Sequence, residues 1–320
     1  MNNFSFDSAA FHFSRTDGPS GFIWKYVLFF CVGSLALFIL SQFFLSPIIA
    51  AYVEMIALSM QGATEEETAA VLINAFLTTG ASLIPGLLIM VLAGIAFWAM
   101  CEGAVQRRYM LDHGFSVRFG SDELRLLVVG LLWLVTFIGL YLIFSILAAI
   151  LIGSLTLASG DNLAVLVFAP FLLAVLLIVV FAYVTIKLSP AAALTVRDQR
   201  IQFFGAWGAT KGRFWTMFGA FLVLAILLSV GTLILYFIIG MASVSVLFGA
   251  PGVIDGAMVD PEALAASFAS PSTLIILAII YFILTAYQAF SGYVWAGVAA
   301  RAAKTDPRGG GQANAATIFD

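Results

Sequence analysis

The chain has 320 residues, of which 62% are hydrophobic and only 10% charged, with a formal net charge of −3. So low a charged fraction excludes an ordinary soluble domain, where about 25% is usual. The few basic residues sit at the edges of apolar runs rather than on one patch, which excludes a nucleic-acid partner.

Six apolar runs follow one another, each long enough to cross a hydrocarbon core of roughly 30 Å. The first covers about 22–45, with Trp24, Lys25 and Tyr26 anchoring its start. Ser46-Pro47 should kink it, and helix resumes to about Met60 with Ile49, Val53 and Ile56 on one face and Glu54 towards water. Thr64 and Glu67 have capping-box spacing, and Glu65, Glu66 and Glu67 suit a positive helix end, so a short outer helix is expected to about Leu77. The second span takes 79–101 and contains Pro85-Gly86; a basic loop is expected from Glu102 to Asp122. Ser121 is the expected cap of a third span over 124–153, followed by a tight turn at 159–162. The fourth runs 163–188, with Pro170 near its start. The longest basic connection, 189–213, leads to a fifth span at 214–247. Asp260-Pro261-Glu262 reads as another helix start, with Leu264 and Phe268 facing the membrane. The sixth span covers 272–300.

Charge orients the runs. Arg15 and Lys25 precede the first, and Arg107, Arg108, Arg118 and Arg125 lie between the second and third. Lys187, Arg197, Arg200, Lys211 and Arg213 lie between the fourth and fifth, and Arg301, Lys304 and Arg308 follow the sixth. The alternate connections carry no Lys or Arg. Lys/Arg bias in short loops sets orientation, so both termini are expected in the cytoplasm. The expectation is an all-α integral membrane protein: six transmembrane helices in three hairpins, with short interfacial amphipathic helices. Residues 1–21 form a cytoplasmic N-terminal segment, 22–302 the bundle, and 303–320 a disordered cytoplasmic tail.

Chemistry is harder to read. Cys31 and Cys101 are isolated, His12 and His113 have no Cys or His neighbour and read as solvated, and no metal site or cofactor is expected. There is no Gly-x-Ser-x-Gly elbow, His-Glu-x-x-His or phosphate loop, so no catalytic residue is assigned and an enzyme is not expected. Glu102 reads as a solvated interfacial charge or a partner of Arg107 or Arg108, and Lys187 as a cation snorkelling to headgroups. Small residues repeat every four positions at Ala99 and Gly103, and at Gly292, Ala296 and Ala300; such stripes let helices approach, within the bundle or between copies in a homo-oligomer.

The most distinctive stretch is 197–215. Arg197, Arg200, Lys211 and Arg213 alternate with Phe203, Phe204, Trp207 and Trp215, the composition of a helix in the headgroup layer that binds membrane lipids, anionic ones included, or a membrane-protein partner. Within it, the pattern Ala206-Trp207, then Thr210-Lys211-Gly212-Arg213-Phe214-Trp215 leading into a span, resembles the six-span membrane domain of glycerophosphodiester phosphodiesterase-type bacterial proteins and related stand-alone inner-membrane proteins. The likeness covers 203–219. The catalytic barrel of those phosphodiesterases has no counterpart here, so the resemblance implies a bacterial cytoplasmic-membrane location near lipid metabolism and no catalytic role. The leading expectation is therefore a non-enzymatic protein that organises lipid or a partner at the inner leaflet. The alternative is a transporter or channel for a small or apolar solute between the proline-bearing spans one, two and four, which a polar central cavity would favour.

Overall fold

The computed structural model describes residues 4–60, 62–159, 163–249, 254–255, 258–259 and 270–306. They form nine α-helices: α1 (Phe6–Ala10), α2 (Phe22–Met60), α3 (Glu65–Leu111), α4 (Ser121–Ser159), α5 (Leu163–Leu188), α6 (Ala191–Asp198), α7 (Gly205–Ala209), α8 (Phe214–Gly249) and α9 (Pro271–Lys304). A 3-10 turn (His12–Ser14) follows α1, and Ile254–Asp255 pairs antiparallel with Met258–Val259. Six of the helices, α2, α3, α4, α5, α8 and α9, are long and apolar enough to cross a membrane. The protein is an all-α, multi-pass membrane protein.

The spans close a ring in which α2 touches α3, α3 touches α4, α4 touches α5, α5 touches α8, α8 touches α9, and α9 returns to α2. Consecutive spans are neighbours, as three hairpins require. The buried core lies at the end where the basic residues gather. One cluster joins Phe22 and Tyr26 of α2, Val105 and Tyr109 of α3, Val129 of α4, Leu194 of α6 and Tyr293 of α9. Tyr109 and Tyr293 stack at 4.9 Å, and the Tyr109 hydroxyl donates to the Tyr293 carbonyl at 2.8 Å. A second cluster seats Ala9 and Ala10 of α1 against Met217 and Leu224 of α8 and Val298 of α9. Farther along, Tyr141, Leu142 and Ile143 of α4, and Tyr236, Phe237 and Ile238 of α8, are exposed on successive helix positions. Apolar surface on every face is stable there because lipid tails, not water, surround it.

Several boundaries differ from the sequence reading. The outer helix and second span are one 47-residue helix, α3, running through Pro85. The Thr64–Glu67 capping box starts it: Glu67 N–H donates to Thr64 Oγ1 at 3.3 Å, and Thr64 N–H donates to the Glu67 carboxylate at 2.9 Å. The N–H and the hydroxyl of Thr64, both donating to it, hold the Glu67 carboxyl below its usual range. The expected loop from Glu102 is helical as far as Leu111, because Ala104, Gln106, Arg107, Arg108 and Met110 are all good helix formers. Asp112 ends it in the left-handed region, φ 51°. In α2 helix likewise continues through Pro47 to Met60. At α4 Ser121 is already helical, and the cap belongs to Gly120, whose N–H donates to Glu123 Oε2 at 2.9 Å. Ser270 caps α9, accepting from Thr273 N–H at 3.3 Å, with Pro271 in the first turn. The expected 159–162 turn beyond Ser159, the helix start at Asp260 and the tail past Asp306 lie outside the described residues.

Candidate functional site

A group of polar side chains lies among α3, α5 and α9. At the basic end of α3, Glu102 and Gln106 stand one turn apart, and Gln106 Nε2 donates to Glu102 Oε1 at 2.8 Å. The helical step carries the next two residues elsewhere. Arg107 pairs with the carboxylate of Glu123 and donates to the Ser116 carbonyl at 3.2 Å. Arg108 reaches Thr16 Oγ1 at 3.2 Å and the Gly18 carbonyl at 3.0 Å in the N-terminal segment. Glu102 is therefore not a partner of these arginines, and it is partly exposed. It faces a cavity of about 540 Å³ that it shares with Gln106, Thr185, Ser189, Gln288 and Ser291. Trp133, Phe221, Leu228 and Trp295 supply apolar wall, so α3, α4, α5, α8 and α9 all contribute.

A second, almost wholly apolar cleft of about 590 Å³ runs between α5 and α8, lined by Phe181 and Ala182 on one side and Phe218, Leu222 and Ala225 on the other. Thr185, Ser189, Phe221 and Trp295 line both spaces. The Phe221 and Trp295 rings, 4.9 Å apart, mark the junction. A molecule with one apolar end and one polar end matches this sequence of surfaces.

The small-residue stripes divide by task. Ala99 and Ala300 are fully buried in helix contacts, and Ala296 is partly buried. Gly103 serves the ion pair: a Cβ there would come within 2.6 Å of Glu123 Oε1 and 3.2 Å of an Arg107 nitrogen. Gly292 abuts no neighbouring helix; a Cβ there would meet nothing within 4 Å, and the residue opens onto the cavity.

The 197–215 segment is likewise divided. Phe203, expected at the lipid interface, is only 2% exposed and packs in the main core, edge-on to Trp133. Its short helix α7 presents Ala206 and Ala209 inwards, which leaves Phe204 and Trp207 outwards. Two of the four cations are occupied by the C-terminal end of α9. Arg197 donates to the Ala303 carbonyl and pairs with Asp198 at 2.7 Å; Arg213 donates to Thr305 Oγ1 and to the Thr305 carbonyl, both at 2.9 Å. Guanidinium groups at helix carbonyls satisfy orphan acceptors and the negative end of the dipole together. Arg200, Lys211, Phe204 and Trp215 remain exposed, the last two at 77%. The preceding helix α6, with Ala191, Leu194, Thr195 and Val196 buried, plugs the ring against α3, α4 and α9 instead of lying on a surface.

Lys187 does not snorkel. It is 8% exposed, and its ammonium stands 5.7 Å from the ring centres of Tyr183 and Trp207 and 5.9 Å from that of Phe214. Three aromatic faces stabilise the desolvated cation. His12 is also inside, 4% exposed and stacked on Tyr109 at 5.4 Å, not solvated. His113 is exposed, and Cys31 and Cys101 are free thiols. No group of three or more His, Cys, Asp or Glu side chains is placed to hold a metal among the described residues.

Comparison with protein families, curated proteins and solved structures returned no match.

Proposed function

We propose that this is a non-enzymatic protein of the bacterial cytoplasmic membrane that withdraws an amphipathic, lipid-like solute from the bilayer into its central cavity, for transfer or retention. One observation carries the reading. The apolar cleft between α5 and α8 and the polar cavity share Thr185, Ser189, Phe221 and Trp295, so tail and head of one molecule have adjoining surfaces. Lining drawn from five of the six spans also favours a ligand in the ring over one confined to the basic surface. A photoactivatable alkyl-chain probe in the membrane should label α5 and α8. Ala225→Trp, which fills the cleft, should remove most of that labelling; labelling unchanged by the substitution would reject the reading.

The same proposal sets both termini in the cytoplasm, supported by the confinement of Lys and Arg to alternate connections. Arg200 and Lys211, with Phe204, Trp207 and Trp215 beside them, then rest on the inner leaflet, where each basic residue contributes about 1 kcal/mol against anionic lipid. The likeness of 203–219 to the membrane domain of glycerophosphodiester phosphodiesterase-type proteins supports that placement. In intact cells, a membrane-impermeant thiol reagent should modify a cysteine introduced at Thr64 and spare one at Gln199. The opposite pattern would invert the topology and move the basic surface to the outer face.

A further inference from the structure

The cavity is lined by one carboxylate and no cation, and that charge identifies a head group. Among the described residues no cation lies within ion-pair distance of Glu102. Gln106 spends its amide N–H on Glu102, which leaves its own carbonyl oxygen buried and unpaired. The Ser291 hydroxyl, on the α9 side of the same cavity, is buried and unpaired as well. Both oxygens are sealed from the cavity, whereas Glu102 is partly exposed to it, so its carboxylate is the charged group a ligand meets.

The cations that adjoin the cavity residues in sequence are engaged elsewhere. Arg107 is held by Glu123, and Arg108 by the N-terminal segment. Lys187 is the informative case. It lies between the cavity residues Thr185 and Ser189 in sequence, yet its side chain turns to the far side of α5 into the cage of Tyr183, Trp207 and Phe214. The fold thus keeps its own ammonium off Glu102 and leaves the carboxylate open to the cavity.

We infer that the cavity recognises a cationic amine head, the ammonium of a long-chain amphiphile whose tail lies between α5 and α8. The inference rests on the cleft reading above and specifies its ligand. An ammonium offers three N–H donors and no acceptor, which complements the carboxylate of Glu102. The rings of Trp133, Phe221 and Trp295 in the same lining add faces favourable to a cation. A phosphate or carboxylate head would bring a second negative charge to Glu102 where the surroundings screen it poorly.

Native mass spectrometry of the full chain in a neutral detergent tests this with three single-chain probes of equal tail length: a primary alkylamine, an alkyl glycoside and an alkyl phosphate. The amine should be retained on the order of tenfold better than the glycoside, and the phosphate least. Glu102→Gln should bring the amine down to the level of the glycoside while the glycoside itself is held as before. An amine retained no better than the glycoside by the unaltered protein, or an amine preference that survives Glu102→Gln, overturns the assignment. The comparison of heads on the unaltered protein needs no variant, so it decides the matter even if Glu102→Gln does not fold. The cleft reading fails separately: none of the three probes would bind, or Ala225→Trp would leave all three bound. Retention of the glycoside without an amine preference removes only the head-group assignment.

Discussion

Arg107→Met should lower stability by about 3–5 kcal/mol, the cost of stranding one member of a buried ion pair. Arg107 is 1% exposed and Glu123 is 0% exposed, and the pair joins the end of α3 to the first turn of α4. Asp122 lies 3.8 Å from the same guanidinium, but it is already shared with Arg118 and Arg125, each at 3.1 Å. Losing Arg107 therefore leaves Glu123 with backbone N–H donors alone, Gly120 at 2.9 Å among them. The change should appear as a drop in thermal midpoint in detergent. Arg107→Met combined with Glu123→Leu should recover most of the loss, because two apolar side chains in that space strand no charge. If the double variant is as unstable as the single one, the arginine is holding α3 to the loop through the Ser116 carbonyl and not through Glu123.

That pair also shows where the sequence could be read and where it could not. Span number and order follow from run length, and α5 occupies the residues the apolar run marks, Leu163–Leu188. Capping chemistry placed the start of α3 correctly at Thr64. On α2, α4 and α8 side-chain direction is illegible because those spans are apolar all round, with no polar stripe to distinguish an inward face. Lys/Arg bias marks which end of a helix carries the cations. It is silent on whether a given cation meets water, headgroups, a carboxylate or an aromatic cage. Arg197, Arg213 and Lys187 read as charges at the lipid surface, and each has a partner inside the protein; Arg107 reads as a loop residue or a partner of Glu102 and pairs with Glu123 instead.

The cavity did leave a trace that ionisable residues alone do not reveal. Gln288, Ser291, Gly292, Trp295 and Ala299 fall at helical spacing on one face of α9, and Glu102 with Gln106 on one face of α3. Uncharged polar side chains aligned on facing spans are the signature of an interior that is not lipid. The core at the basic end and the lipid-solvated far halves give the ring one rigid end, and Glu102 and Gln106 are fixed to it by the helix that also carries Tyr109. A head group would thus be gripped at the rigid end while its tail lies along the more loosely packed spans.

Acidification should loosen the N-terminal segment before it affects the bundle. Burial, with Arg301 and Lys304 nearby, lowers the His12 pKa from 6.5 to about 4, and Asp112 and Asp17 oppose the shift only in part. Folded, the imidazole stays neutral in the range where the undocked chain binds a proton. Between pH 6.5 and 4 the undocked state therefore holds more protons, and stability rises with pH. The contribution is complete above about 6.5 and is lost as pH falls towards 4, at most about 3 kcal/mol from a shift of this size. The site affected is the contact of Phe11–Ser14 and α1 with α8 and α9, where His12 stacks on Tyr109 and the Tyr293 hydroxyl donates to the Phe13 carbonyl at 3.3 Å. Proteolysis of residues ahead of α2, followed at pH 7.5 and at pH 4.5, should be faster at the lower pH. His12→Phe keeps an aromatic ring against Tyr109 and removes the titration, so it should flatten that dependence. An equally steep dependence in His12→Phe would assign the acid sensitivity to the carboxylates around Arg15 and Lys304 instead, since Asp7 and Asp112 pair with those cations at 2.8 and 3.3 Å.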